Sequence, residues 1–75
     1  MVTGRRFVLN ERTLAIEVVE SERRLVTIPA GAIIEIVSGN DDRTVDVLWE
    51  SRIVEIFTVD VNLRGMEIKG RRAQA

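Results

Sequence analysis

Few side chains in this sequence could do chemistry, and their types narrow the choice quickly. The chain has no histidine and no cysteine, so the commonest general base and the strongest nucleophile are both missing. Carboxylates, hydroxyls and a single lysine remain. Asp41 and Asp42 are adjacent in "GNDDR", and Asp46 and Glu55 form a second candidate pair on a predicted hairpin. Paired carboxylates can share acid–base work, but adjacent acids in a turn sequence read as a solvated loop. A divalent-cation site needs more oxygens at ordered spacing than these supply. Ser21, Ser38 and Ser51 all fall in predicted turns, where turn chemistry explains serine. Lys69 lies in an edge or terminal strand. No glycine-rich phosphate loop is present, since "PAGA" and "SGN" lack both the spacing and a following helix. These residues predict no catalytic site, no metal site, no cofactor and hence no enzyme.

The elements that would position such groups belong to one small domain spanning residues 1–75. Its folded unit is expected at about residues 7–70, with basic, flexible ends at 1–6 and 71–75. Without cysteine there is no disulfide to staple it. The 45% apolar and 31% charged composition suits a globular domain. No apolar run approaches the roughly 18 residues that span a bilayer. The opening "MVTGRRFVLNER" lacks the apolar stretch of a signal peptide. A cytoplasmic protein with no membrane contact is the expectation.

Valine and isoleucine dominate the apolar set, and β-branched side chains suit a pleated sheet better than a helix. Strands are predicted near Phe7–Asn10, Leu14–Val19, Leu25–Ile28, Ala32–Val37, Thr44–Trp49, Ile53–Val59 and Met66–Lys69. "ESER", "PAG" and "SGNDD" mark the turns, and one helical turn is expected at Val61–Arg64. The best-defined hairpin covers residues 44–59. A Glu50-Ser51 loop would set Asp46 opposite Glu55, a like-charge pair; a Ser51-Arg52 loop would set Asp46 opposite Phe57. Both put Val45, Val47, Trp49, Val54 and Ile56 on one face, because a two-residue shift preserves side-chain parity. Neither loop has the Gly or Asn favoured in tight primed turns, so a longer loop is a third reading. Leu14, Ile16, Ile34 and Ile36 complete the predicted core.

A hairpin over 14–28, then "IPAGAIIEIVSG", "TVDVLWESRIVEIFTV", a turn at "DVNLRG" and a last strand "MEIKG" follow in that order. This order resembles an SH3-like small barrel, and the chain is similar to small uncharacterised bacterial proteins of that type. The resemblance implies an all-β fold, a single barrel of five to six short antiparallel strands with one 3₁₀ turn. It implies no function. SH3 domains that bind proline-rich peptides resemble one another in an aromatic groove. Here the aromatics are Phe7, Trp49 and Phe57 only, and Trp49 shares the parity of Val45 and Val47. No proline-rich ligand is expected.

Two surfaces are left as binding candidates. The second parity of the 44–59 hairpin is also apolar, with Leu48, Ile53, Phe57 and Val59, matched by Ile33 and Val37 on the preceding strand. Coiled strands can feed a core from both parities; otherwise such a strip implies a partner. The leading expectation is a protein-interaction module that contacts another protein or forms a homodimer. The alternative is weak, sequence-independent nucleic-acid binding. Residues 11–60 carry eleven acids against five arginines, whereas Arg5, Arg6, Lys69, Arg71 and Arg72 lie at the ends. Together these form a candidate anion site if the first and last strands are neighbours. Charged ends that aid solubility are the plainer explanation.

Overall fold

The computed structural model describes residues 2–39 and 43–69. It holds seven strands: β1 (Arg6–Leu9), β2 (Thr13–Val19), β3 (Glu22–Ile28), β4 (Ile33–Gly39), β5 (Thr44–Trp49), β6 (Arg52–Phe57) and β7 (Gly65–Ile68). One helix, α1 (Thr58–Arg64), lies between β6 and β7. All strands join one antiparallel sheet in the order β3-β2-β6-β5-β4-β1-β7. The all-β expectation holds in outline and needs correcting in detail. There are seven strands rather than five or six, and no ladder among the described residues joins β3 to β7 to close a barrel. The predicted 3₁₀ turn at 61–64 is an α-helix that starts at Thr58, so Val59 is helical and not the end of a strand.

Two-residue loops make both long hairpins regular. Glu20 and Ser21, and again Glu50 and Ser51, take positive φ of 51–69°, the left-handed conformation at both positions that a type I′ turn requires. The strands on either side pair well enough to hold non-glycine residues there. The Glu50-Ser51 loop sets the register: Val45 faces Ile56, Asp46 faces Glu55, Val47 faces Val54 and Trp49 faces Arg52. The like-charge pair is therefore present. Ser38 Oγ lies 3.4 Å from Asp46 Oδ2, and Arg23 Nη2 lies 3.5 Å from Glu55 Oε1, so both acids have neighbours that offset their repulsion.

The inner face follows from alternation. Ile34 and Ile36 on β4, Val45, Val47 and Trp49 on β5, and Val54 and Ile56 on β6 are all buried, as expected. Phe7, Leu9, Ala15, Ile28 and Val61 join them. A register shift between Ile36 and Ser38 bends β4, which lets the strand pair with β1 at one end and β5 along the rest. Gly65 closes α1 against this core. Its N–H donates to Val61 O, and a Cβ there would sit 2.6 Å from that oxygen and 3.3 Å from the Phe7 ring. Only glycine fits at that approach.

The predicted parity of β2 is wrong. Leu14 is exposed and Ile16 only half-buried, whereas Thr13, Ala15 and Glu17 point inward. The reason lies beyond β2. Ala15 packs in the buried cluster, and Glu17 finds cations on two neighbouring strands. Arg52 Nη1 donates to both Glu17 oxygens at 3.3 and 3.4 Å, and Arg24 Nη2 lies 3.9 Å away. Thr13 Oγ1 donates to Glu11 O at 2.9 Å. Inward polar groups are thus bonded, and the apolar side of β2 is turned outward.

Candidate functional site

The outward parity of β2, β5 and β6 gathers into one surface. On the central hairpin Leu48 and Ile53 are cross-strand neighbours, and Phe57 stands opposite Thr44. β2 joins β6 at a single ladder pair, Ile16 with Glu55. Leu25 of β3 stands opposite Ile16. Ile16, Val18 and Ile53 line a shallow cleft of about 260 Å³ across the β2–β6 junction. On the same junction Leu14, Leu25 and Phe57 border a hollow of about 60 Å³. Apolar side chains therefore face outward on four adjacent strands, from β3 to β5, with the Asp46–Glu55 pair on the same face between Leu48–Ile53 and Phe57.

Every residue predicted for this surface is exposed. Leu48 keeps 38% of its accessible surface, Ile53 47%, Phe57 48% and Val59 56%; Ile33 and Val37 are also exposed. The second parity does not feed the core. Ile33 is set apart from the strip: Glu35 stands opposite Leu48, and Ile33 instead neighbours Val8, which faces Met66. Leu14, Ile16, Val18 and Leu25 are the part that sequence reasoning missed: it counted Leu14 and Ile16 as core and gave Val18 and Leu25 no place on this surface. Val59 lies on α1 and not on the sheet.

The anion candidates are brought together only in part. β1 and β7 do pair, with Arg6 opposite Ile68, so the two ends of the described chain are neighbours. Arg5, however, is engaged. Its Nε and Nη2 donate to Glu67 at 2.7 and 2.6 Å, and its guanidinium lies 5.4 Å over the Phe7 ring. The two hydrogen bonds hold the Glu67 carboxyl below its ordinary range and raise Arg5 further. Arg6 is exposed opposite Glu35, and Lys69 is exposed. Arg71, Arg72 and the Asp41-Asp42 pair lie outside the described residues. The backbone around Arg5 is also bonded to β4, with Gly4 N–H donating to Ile36 O and Ile36 N–H to Arg5 O.

The other polar groups are turned toward one another. An open cleft of about 430 Å³ lies between Arg12, Thr27, Asp60 and Arg64. Arg64 there donates to Arg12 O at 2.7 Å and pairs with Glu11 and Asp60 at 3.6 and 3.7 Å. Among the described residues no group of three or more acids is placed to hold a metal ion, and no helix is long and apolar enough to cross a membrane. No family model, curated protein or solved structure matches the chain.

Proposed function

We propose that this chain is a non-enzymatic interaction module that self-associates through the outer face of its sheet. One observation carries the reading: the exposed apolar strip from Leu25 and Ile16 through Ile53 and Phe57 to Leu48. Water-exposed apolar surface gains free energy when covered, at roughly 25 cal/mol per Å², and Arg23 beside Glu55 offsets the acidic pair that lies among these side chains. A two-fold contact lets one such strip cover another, and homodimers are the commonest assembly. A stable contact of this kind buries about 800 Å² on each partner, a small part of the 4918 Å² that the described residues expose. The order of elements also supports reading the fold as SH3-like: a first strand flanked by β4 and β7, a hairpin, a three-strand meander, a short helix and a last strand. Nucleic-acid binding at the basic ends has less behind it, because Glu67 holds Arg5.

Light scattering across a micromolar concentration series tests the proposal. The wild type is expected above the 8.5 kDa of one chain, and Ile53→Lys with Phe57→Lys is expected to lower the mean mass at each concentration by removing the outer-face contact, with the thermal midpoint nearly unchanged. A wild type that stays at 8.5 kDa throughout removes self-association.

A further inference from the structure

Among the described residues the sheet has two unpaired edges, and they are not alike. At one end, β7 covers four residues. Arg6 and Val8 face Ile68 and Met66, and Gly65 gives its N–H to α1, so little backbone is left to pair. At the other end, β3 is seven residues long, contains no proline and among the described residues pairs only with β2.

Hairpin geometry says which β3 groups are free. Next to a two-residue loop, the flanking pair exchanges both backbone bonds, and bonded pairs then alternate along the ladder. Val19 and Glu22 flank Glu20-Ser21, so Glu22, Arg24, Val26 and Ile28 bond to β2. Arg23, Leu25 and Thr27 point their N–H and C=O groups away from it. The β2 side agrees: Ile16 stands opposite Leu25 but belongs to the ladder with Glu55 on its other side. No other backbone bond among the described residues involves these three positions.

We infer that the β3 edge is a strand-pairing site for the β3 edge of a second copy, antiparallel and centred on Leu25. Exposed unpaired edges are templates for strand addition, and the charge pattern selects the register. Centred on Leu25, the bonded pairs are Arg23 with Thr27, Leu25 with Leu25 and Thr27 with Arg23, using all three outward positions on each copy. Glu22 then faces Ile28 and Arg24 faces Val26. No like charges stand opposite. A two-residue slip one way sets Arg24 against Arg24; the other way sets Arg23 against Pro29, which has no N–H to give. In the chosen register the nearest like charges are the two Arg24 on a diagonal, each beside its own Glu17. Leu25, 72% exposed on one chain, gains an apolar neighbour. This contact uses backbone groups of the β3 edge, whereas the outer face uses side chains; Leu25 belongs to both, so backbone exchange tests the edge, and Ile53 and Phe57 test the outer face.

Amide hydrogen exchange, resolved by residue at two concentrations, tests it. Glu22, Arg24, Val26 and Ile28 should exchange slowly at both. Arg23, Leu25 and Thr27 should slow by about tenfold or more only where the chain is associated. Leu25→Pro removes the central outward N–H without touching the β2 ladder. It should abolish this association and leave Arg23 and Thr27 fast at every concentration, while Ile53→Lys with Phe57→Lys should leave the edge protection in place. Fast exchange at the three positions in an associated wild type overturns the edge pairing and leaves the outer face standing. A wild type that never associates overturns both. If Leu25→Pro fails to fold, the wild-type exchange pattern still decides.

Discussion

The guanidinium of Arg52 lies 4.4 Å over the Trp49 ring. The two residues flank the Glu50-Ser51 turn as cross-strand partners, and the same guanidinium reaches Glu17 on β2. One arginine therefore covers the mouth of the core, neutralises an inward carboxylate and ties two strands. Trp49 keeps 7% of its surface, and Trp49→Ala should cost about 3–5 kcal/mol as a large-to-small core change. A chain of this length has roughly 4–11 kcal/mol in total, so the variant should lose a large share of its stability. Arg52→Ala should cost about 1–2 kcal/mol through the lost stacking and the stranded Glu17. Urea unfolding measures both. A Trp49→Ala midpoint near wild type would place the ring outside the core.

The two Glu-Ser turns hold four non-glycine residues at positive φ. Replacing Glu50 and Ser51 by Asn and Gly keeps the turn and relieves the left-handed strain, which should stabilise the protein by about 1 kcal/mol. In a domain this small that corresponds to a rise of about 4–8 °C in thermal midpoint. A fall would mean that the turn depends on contacts of the Glu50 or Ser51 side chain.

The Arg5–Glu67 bridge makes a pH-dependent contribution of known sign. Arg5 donates two hydrogen bonds to the Glu67 carboxylate, which lowers its pKa from 4.5. The unfolded chain thus binds the proton more readily than the folded one near that pH. The bridge's contribution is present in full above pH 4.5 and is lost as pH falls through the depressed value. Thermal midpoints of wild type and Glu67→Gln from pH 7 to pH 3 should differ at neutral pH and converge at the acid end. The Glu67 side-chain carbon in an NMR titration should report a pKa below that of exposed glutamates. A constant gap between the two midpoints would show that the ion pair is not its source.

Strand positions and the main core face were legible because one parity along 44–57, Val45, Val47, Trp49, Val54 and Ile56, is apolar apart from Arg52, whereas the other mixes apolar residues with Asp46 and Glu55. Val45, Val47, Val54 and Ile56 could be placed without knowing the register, since parity survives a two-residue slip. The candidate surface was half legible for the same reason: Leu48, Ile53 and Phe57 sit on the opposite parity. β2 was different. Its two parities read Leu-Ile-Val against Thr-Ala-Glu-Val, and hydrophobicity alone selects the former for the core. The choice went the other way because Arg24 on the adjacent strand and Arg52, 35 residues away along the chain, meet Glu17.

Local pattern in this chain determined that it forms β-strands, where most of them run and which side of the central hairpin is buried. Those are properties of short stretches, set by backbone sterics and the period of the pleat. Tertiary structure decided which face of β2 turns inward, that Glu-Ser can serve as a tight turn, that Arg5 is held by Glu67 rather than left to a ligand, and that β3 ends the sheet as a free edge. Each of these depends on what a distant strand brings alongside. A polar side chain goes in where a partner waits for it, and an apolar one stays out where nothing in the same chain covers it.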